Sequence, residues 1–166
     1  MKGWKPTSAR AALAKLRQRV LVSAFAISAC FIVGPAHADC FDDAAQHYNV
    51  NPWILRAITA QESGFNANAK HPVNRDGSID RGATGINSVH LPELARYGIT
   101  ADDLKDYCKS IYLAGWHLRS MTNKYGNTWE AVGAYNSKTP SKRDIYKEKI
   151  RRIIDFWIAQ GYMPSQ

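Results

Sequence analysis

The 166-residue chain contains no HExxH pair, no GxSxG elbow, no Walker A loop and no dinucleotide fingerprint. These absences exclude the familiar zinc-hydrolase, serine-hydrolase, phosphate-loop and Rossmann chemistries. Past residue 38 the histidines stand at 47, 71, 90 and 117, and none has the Cys-His or His-His spacing of a metal site. Neither metal nor cofactor is expected. Repeats, low-complexity tracts and internal linkers are also missing. Length and composition (45% hydrophobic, 11% aromatic) are those of one folded domain with its own core.

One absence is local. Residues 1–38 hold no Asp or Glu, while Lys2, Lys5, Arg10, Lys15, Arg17 and Arg19 crowd the first 19 positions. An uncharged apolar run, residues 20–34, follows, and then Ala36-His37-Ala38. Basic start, apolar run and small residues at −3 and −1 describe a secretory signal peptide cleaved after Ala38. An uncleaved anchor is the alternative, although the run falls short of the ~20 residues of a span. The chain therefore divides into a leader, 1–38, and one domain, 39–166, of periplasmic location. Removing the six leader cations from the 22 Lys and Arg leaves 16 against 14 acidic residues, or +2 rather than +8. The basic balance belongs to the leader, so no nucleic-acid partner is expected, and a monomer is.

Cysteine is scarce. After the leader only Cys40 and Cys108 remain, and an even pair in an exported protein predicts one disulfide. Two reduced core cysteines are the other possibility.

Apolar spacing predicts a mainly helical domain. A first short helix carries Cys40, Phe41, Ala44, Ala45 and Tyr48. Asn51-Pro52 opens a second, with Asn as N-cap and Pro in the first turn, and Gly64 follows its end. Residues 65–90 are rich in Asn, Asp, Gly and Ser, a long irregular insert with a candidate hairpin turn at Asp76-Gly77. Leu91–Tyr97 reads as a short helix. Thr100-Ala101-Asp102-Asp103 resembles a capping box opening a long helix that ends at Gly126. Thr128 caps a helix over Trp129–Asn136, and the last runs from about Ser141 to Gln160.

Glu62 is the residue that asks for chemistry. Ile54, Ile58 and Glu62 are spaced i, i+4, i+8, with Leu55 seven residues before Glu62, so all share one face. That face is apolar, and the position is the C-terminal end of a helix. Burial and the macrodipole both disfavour the charged form and raise the pKa. A carboxylic acid kept protonated near neutral pH suits the general acid of glycosidic bond cleavage. A structural ion pair with Arg or Lys is the competing explanation of position alone.

Three stretches then occur in order: Glu62-Ser63-Gly64, Asp80-Arg81-Gly82-Ala83-Thr84-Gly85-Ile86-Asn87-Ser88-Val89-His90 and Ala131-Val132-Gly133-Ala134-Tyr135-Asn136. Together they resemble the motifs of lysozyme-like lytic transglycosylases (SLT domain). The likeness spans about residues 40–160, including the cysteine pair, and is greatest to small exported members that accompany type III and type IV secretion, conjugation and pilus systems. The resemblance implies a goose-lysozyme-like fold with peptidoglycan as substrate. The bond cut is the β-1,4 link between N-acetylmuramic acid and N-acetylglucosamine, with a 1,6-anhydro product. Glu62 is implied as acid and then base, Ser63, Asn87, Tyr135 and Asn136 as substrate-binding residues, and Tyr135 as hydrogen-bonded to Glu62. Asp76 and Asp80 are read as turn residues rather than as a second catalytic carboxylate.

The middle motif departs from the family's usual Gly-Leu-Met-Gln-Ile-Asn. Ala83-Thr84 stands for the long apolar pair and Gly85 for the glutamine. The expectation is a cleft short of two bulky walls and one hydrogen-bonding side chain, and a slower enzyme. A true lysozyme on the same fold and a weakly active peptidoglycan-binding scaffold protein are the competing functions.

Overall fold

A computed structural model describes residues 39–163. The expected leader lies outside these described residues. Six α-helices among them surround one core, and each begins where a local cap allows. In α1 (Cys40–Tyr48) the Asp39 carboxylate accepts from the Phe41 and Asp42 amides, and Phe41, Ala44 and Ala45 turn inward. In α2 (Pro52–Ser63) Asn51 caps the Trp53 and Ile54 amides, and Leu55 and Ile58 are fully buried.

The insert after α2 is mostly irregular. Val73 and Ile79 form a single antiparallel bridge around the Asp76-Gly77 turn, where Asp76 Oδ1 accepts from the Ser78 amide and hydroxyl. A second, unexpected hairpin pairs β1 (Asp80–Arg81) with β2 (Ile86–Asn87), matching Asp80 with Asn87 and Arg81 with Ile86. Residues 88–97 wind through a 3₁₀ turn, the short α3 (Leu91–Leu94) and another 3₁₀ turn.

The capping box forms but opens less than expected. Thr100 and Asp103 exchange side-chain-to-amide hydrogen bonds, yet the result is a 3₁₀ turn, Asp103–Lys105. The long helix, α4 (Tyr107–Tyr125), starts afresh at Asp106, whose side chain accepts from the Lys109 amide. Its buried residues Ile111, Ala114, Leu118 and Met121 keep a spacing of three and four. Short α5 (Trp129–Asn136) is buried from Ala131 through Tyr135, and α6 (Pro140–Ala159) buries Tyr146, Ile150 and Ile154.

A disulfide joins Cys40 of α1 to Cys108 of α4, with Cα atoms 5.4 Å apart and a sequence separation of 68. Closing so long a loop stabilises by about 4 kcal/mol in the chain-entropy view. Arg56 adds a second tie between α1 and α2 through Asp39 and Asp42. Helix α2 thus packs against α4 and α6, and Ser63 at its end bonds the Ala83 carbonyl of the insert, which places Glu62 in a wall rather than on a tip.

Candidate active site

Glu62 is partly buried in the last turn of α2 and lines two adjoining cavities of about 800 and 290 Å³. Asp80, Gly85, Asn87 and Tyr135 line the larger one with it. Asn136 and Lys142 line both. No Lys or Arg nitrogen among the described residues lies within ion-pair distance of Glu62. The structural ion pair is therefore not what holds it.

Its partner is a tyrosine that sequence reasoning missed. Tyr146 Oη donates to Glu62 Oε1 at 2.5 Å. Tyr135, expected in that role, instead donates to the Thr84 carbonyl at 2.9 Å. The two rings stack with centroids 6.4 Å apart and planes 15° from parallel, so Tyr135 buttresses Tyr146 rather than reaching the carboxylate. The signal for Tyr146 was its spacing four residues before Ile150, on the buried face of α6. Ile145, the apolar residue one position earlier, is 61% exposed and off that face.

Burial, the largest influence, pushes the Glu62 carboxyl above the ordinary carboxylate range. The Tyr146 hydrogen bond opposes it, the charge of Asp80 adds to it, and the charges of His71 and Lys149 pull it back. With Tyr146 donating to Oε1, the proton of the neutral acid sits on Oε2. That oxygen faces Gly85. A Cβ built there would lie 2.8 Å from Glu62 Oε2, at a backbone φ of +64°. Gly85 thus leaves space against the acid.

The rest of the middle motif corrects the expectation drawn from it. Ala83 and Thr84 are fully buried and point away from the cleft. The Thr84 amide donates to Ser110 Oγ at 3.2 Å, and its hydroxyl donates to the Ser110 carbonyl at 2.9 Å. Because that hydroxyl has one proton, Ser110 Oγ donates in turn to Thr84 Oγ1. Gly82 lies so close to α4 and the turn before it that a Cβ would meet the Leu104 carbonyl and Ser110 Oγ. These residues are the seam between the hairpin turn and α4. They are not missing cleft walls.

The remaining predicted residues are placed unequally. Ser63 Oγ donates to the Ala83 carbonyl at 2.6 Å, fastening the hairpin turn to α2, and does not line the cleft. Asn87 lines the cleft, but its amide nitrogen donates to Asp80 Oδ1 and Ser78 Oγ and its oxygen accepts from the Val89 amide. Asn136 is exposed at the end of α5, with no side-chain hydrogen bond among the described residues. Asp76 is the turn residue expected. Asp80, also expected in a turn, instead sits in strand β1, where it accepts from Asn87, and its charge reaches Glu62. His117, which also lines the cleft, meets the Tyr135 ring edge-on at 4.8 Å and donates from Nε2 to the Tyr135 carbonyl at 3.0 Å.

The site is thus a tyrosine-held, desolvated carboxylic acid in a cleft of a mainly helical domain. The profile of the transglycosylase SLT domain matches residues 39–155. The chain belongs to this family. SLT-domain proteins are lysozyme-like, mainly helical lytic transglycosylases that act on peptidoglycan glycan strands, and this is the enzyme class of the chain. Among curated relatives, Protein IpgF of Shigella flexneri is 39% identical over 77% of this chain and 83% of its own length. Invasion protein IagB of Salmonella typhimurium is 41% identical over 73% of this chain and 76% of its own. The X polypeptide of Escherichia coli K12 is 44% identical over 77% and 80%.

Proposed function

We propose that the protein cleaves the β-1,4 bond between N-acetylmuramic acid and N-acetylglucosamine, with Glu62 as acid and then base, and forms a 1,6-anhydro end. The observation that carries this reading is Glu62 itself, partly buried, raised in pKa and held by Tyr146 without a cationic partner among the described residues. Protonated on Oε2, it gives that proton to the glycosidic oxygen as the bond to the muramoyl C1 breaks. The resulting carboxylate takes the proton of the muramoyl 6-hydroxyl, whose oxygen closes on C1. The acid is regenerated and no water is consumed. Tyr146 keeps Oε1 fixed through both transfers. Ser63, Asn87, Tyr135 and Asn136 frame the site in this reading. Asn136 offers the sugar a free amide, and the other three act through the hairpin and through Tyr146.

The biological setting we infer is local opening of the cell wall for a secretion or conjugation apparatus, in the periplasm, after removal of residues 1–38. Similarity to a relative named as an invasion protein supports the setting. The basic, apolar and small-residue segments of 1–38 support the export, which N-terminal sequencing of the periplasmic protein tests. Glu62→Gln tests the chemistry. The amide keeps shape but carries no transferable proton, so turnover of sacculi should drop by at least ~10²–10⁴-fold in a folded variant. Digestion at the wild-type rate would refute the assignment.

A further inference from the structure

Five of the six cations of α6 fall into two sets; the sixth, Arg152, is exposed, makes no ion pair among the described residues and lines neither cavity. On one side of the helix each meets an acid. Lys147 bonds Glu130 and Asp144, Arg151 reaches Glu148, and Arg143 lies 2.7 Å from Glu130 in a charge contact without hydrogen-bond alignment. On the other side Lys142 and Lys149, seven residues apart and so on one face, are exposed and make no ion pair among the described residues. Both line the 290 Å³ cavity, with Gln61, Asn136, Tyr146 and the exposed Ile145. Glu62 is in the wall between that cavity and the main cleft. Two free ammonium groups beside amides and one apolar side chain form a surface for a carboxylate-bearing peptide, not for a neutral sugar.

We propose that the cavity lined by Lys142, Ile145 and Lys149 binds the acidic peptide stem of the glycan strand next to the scissile bond, so that peptide-bearing strands are preferred to bare ones. This rests on the strand-cleaving role of Glu62 proposed above. The stem carries side-chain and terminal carboxylates close to the muramoyl sugar. A bond broken at Glu62 brings them within reach of α6. Each exposed ammonium–carboxylate contact is worth about 1.5- to 5-fold in affinity, and the two together roughly 2- to 25-fold.

The test is binding in the Glu62→Gln background, which removes turnover and any influence of Lys149 on the acid. Three soluble ligands separate the sources of charge: N-acetylglucosamine oligomers with no carboxylate, amidase-stripped strands with only the lactyl carboxylate, and peptide-bearing strands. Peptide-bearing strands should bind the tightest, with an advantage that shrinks as salt rises. K142Q/K149Q should erase that advantage and K142R/K149R should keep it. Both positions are exposed, and a melting curve confirms the fold. Equal binding of stripped and peptide-bearing strands, an undiminished advantage in the Gln double variant, or no binding of any ligand would overturn the proposal. An equal loss on stripped strands would also overturn it, by moving the contact to the lactyl group. In the enzyme with Glu62 intact, absence of all strand cleavage would refute the catalytic reading alone, while the binding arm still reads the lysines.

Discussion

Gly85→Ala is the smallest change that should damage the site, and its size follows from geometry. The added Cβ would lie 2.8 Å from Glu62 Oε2, 3.2 Å from Cδ and 3.3 Å from Cγ, where ordinary contact begins at 3.4 Å. Oε2 must then retreat by the difference, about 0.6 Å, while Tyr146 holds Oε1. Displacing a reacting group by ~1 Å costs up to ~10²-fold, so a loss of about 10- to 100-fold in turnover is expected. The left-handed φ of +64° adds strain of ~1–2 kcal/mol for alanine, a fall of a few degrees in melting temperature. The assay is release of soluble fragments from sacculi, run beside a melting curve so that a folded fraction is compared. A folded Gly85→Ala protein that digests like wild type would show that Oε2 does not deliver the proton from this position. For the same reason, restoring the family's bulkier middle motif should hurt. Ala83→Leu and Thr84→Met force volume into fully buried positions at ~1–3 kcal/mol each, and Gly85→Gln meets the acid.

Further outcomes concern pH. Tyr146→Phe removes a hydrogen bond that favours the charged form of Glu62, so the alkaline limb of activity should move to higher pH while the maximum rate falls. Asp80→Asn removes a charge that favours the neutral form, and should move the same limb to lower pH; shifts in the same direction would refute the electrostatic picture. His117 is buried, and burial, aided by the charge of neighbouring His90, holds its pKa down to about 4 from 6.5. Between those values the unfolded chain takes up a proton that the native one refuses, so this residue removes up to about 3 kcal/mol of stability as pH falls. Denaturant melts at pH 7 and pH 4.5 should show a flatter dependence in His117→Asn than in wild type, and parallel slopes would contradict the account.

How legible the molecule was in its sequence depended on whether a local rule or a long-range direction was needed. Asn51-Pro52 and Thr128 cap their helices as read, because an N-cap acts on amides two or three residues away. Thr100 and Asp103 also bonded as read, but local bonds do not say how far a helix runs, and Asp106 started α4 instead. Glu62 was legible from its place on an apolar face. Its donor was not, since choosing between Tyr135 and Tyr146 requires knowing how α5 and α6 cross. That crossing is set by Gly133, where a Cβ would come within 2.5 Å of the Arg143 carbonyl. The middle motif was misread for a related reason: sequence supplies the identities of Ala83 and Thr84 but not that both side chains are buried, Thr84 bonded to Ser110.

The central claim, cleavage by Glu62 with internal ring closure, is tested most directly by the masses of the soluble products released from sacculi by the purified protein. Muramoyl ends one water lighter than the hydrolysed form, absent from a Glu62→Gln digest, are the predicted result. Reducing muramoyl ends of full mass would contradict the mechanism and make the protein a hydrolase.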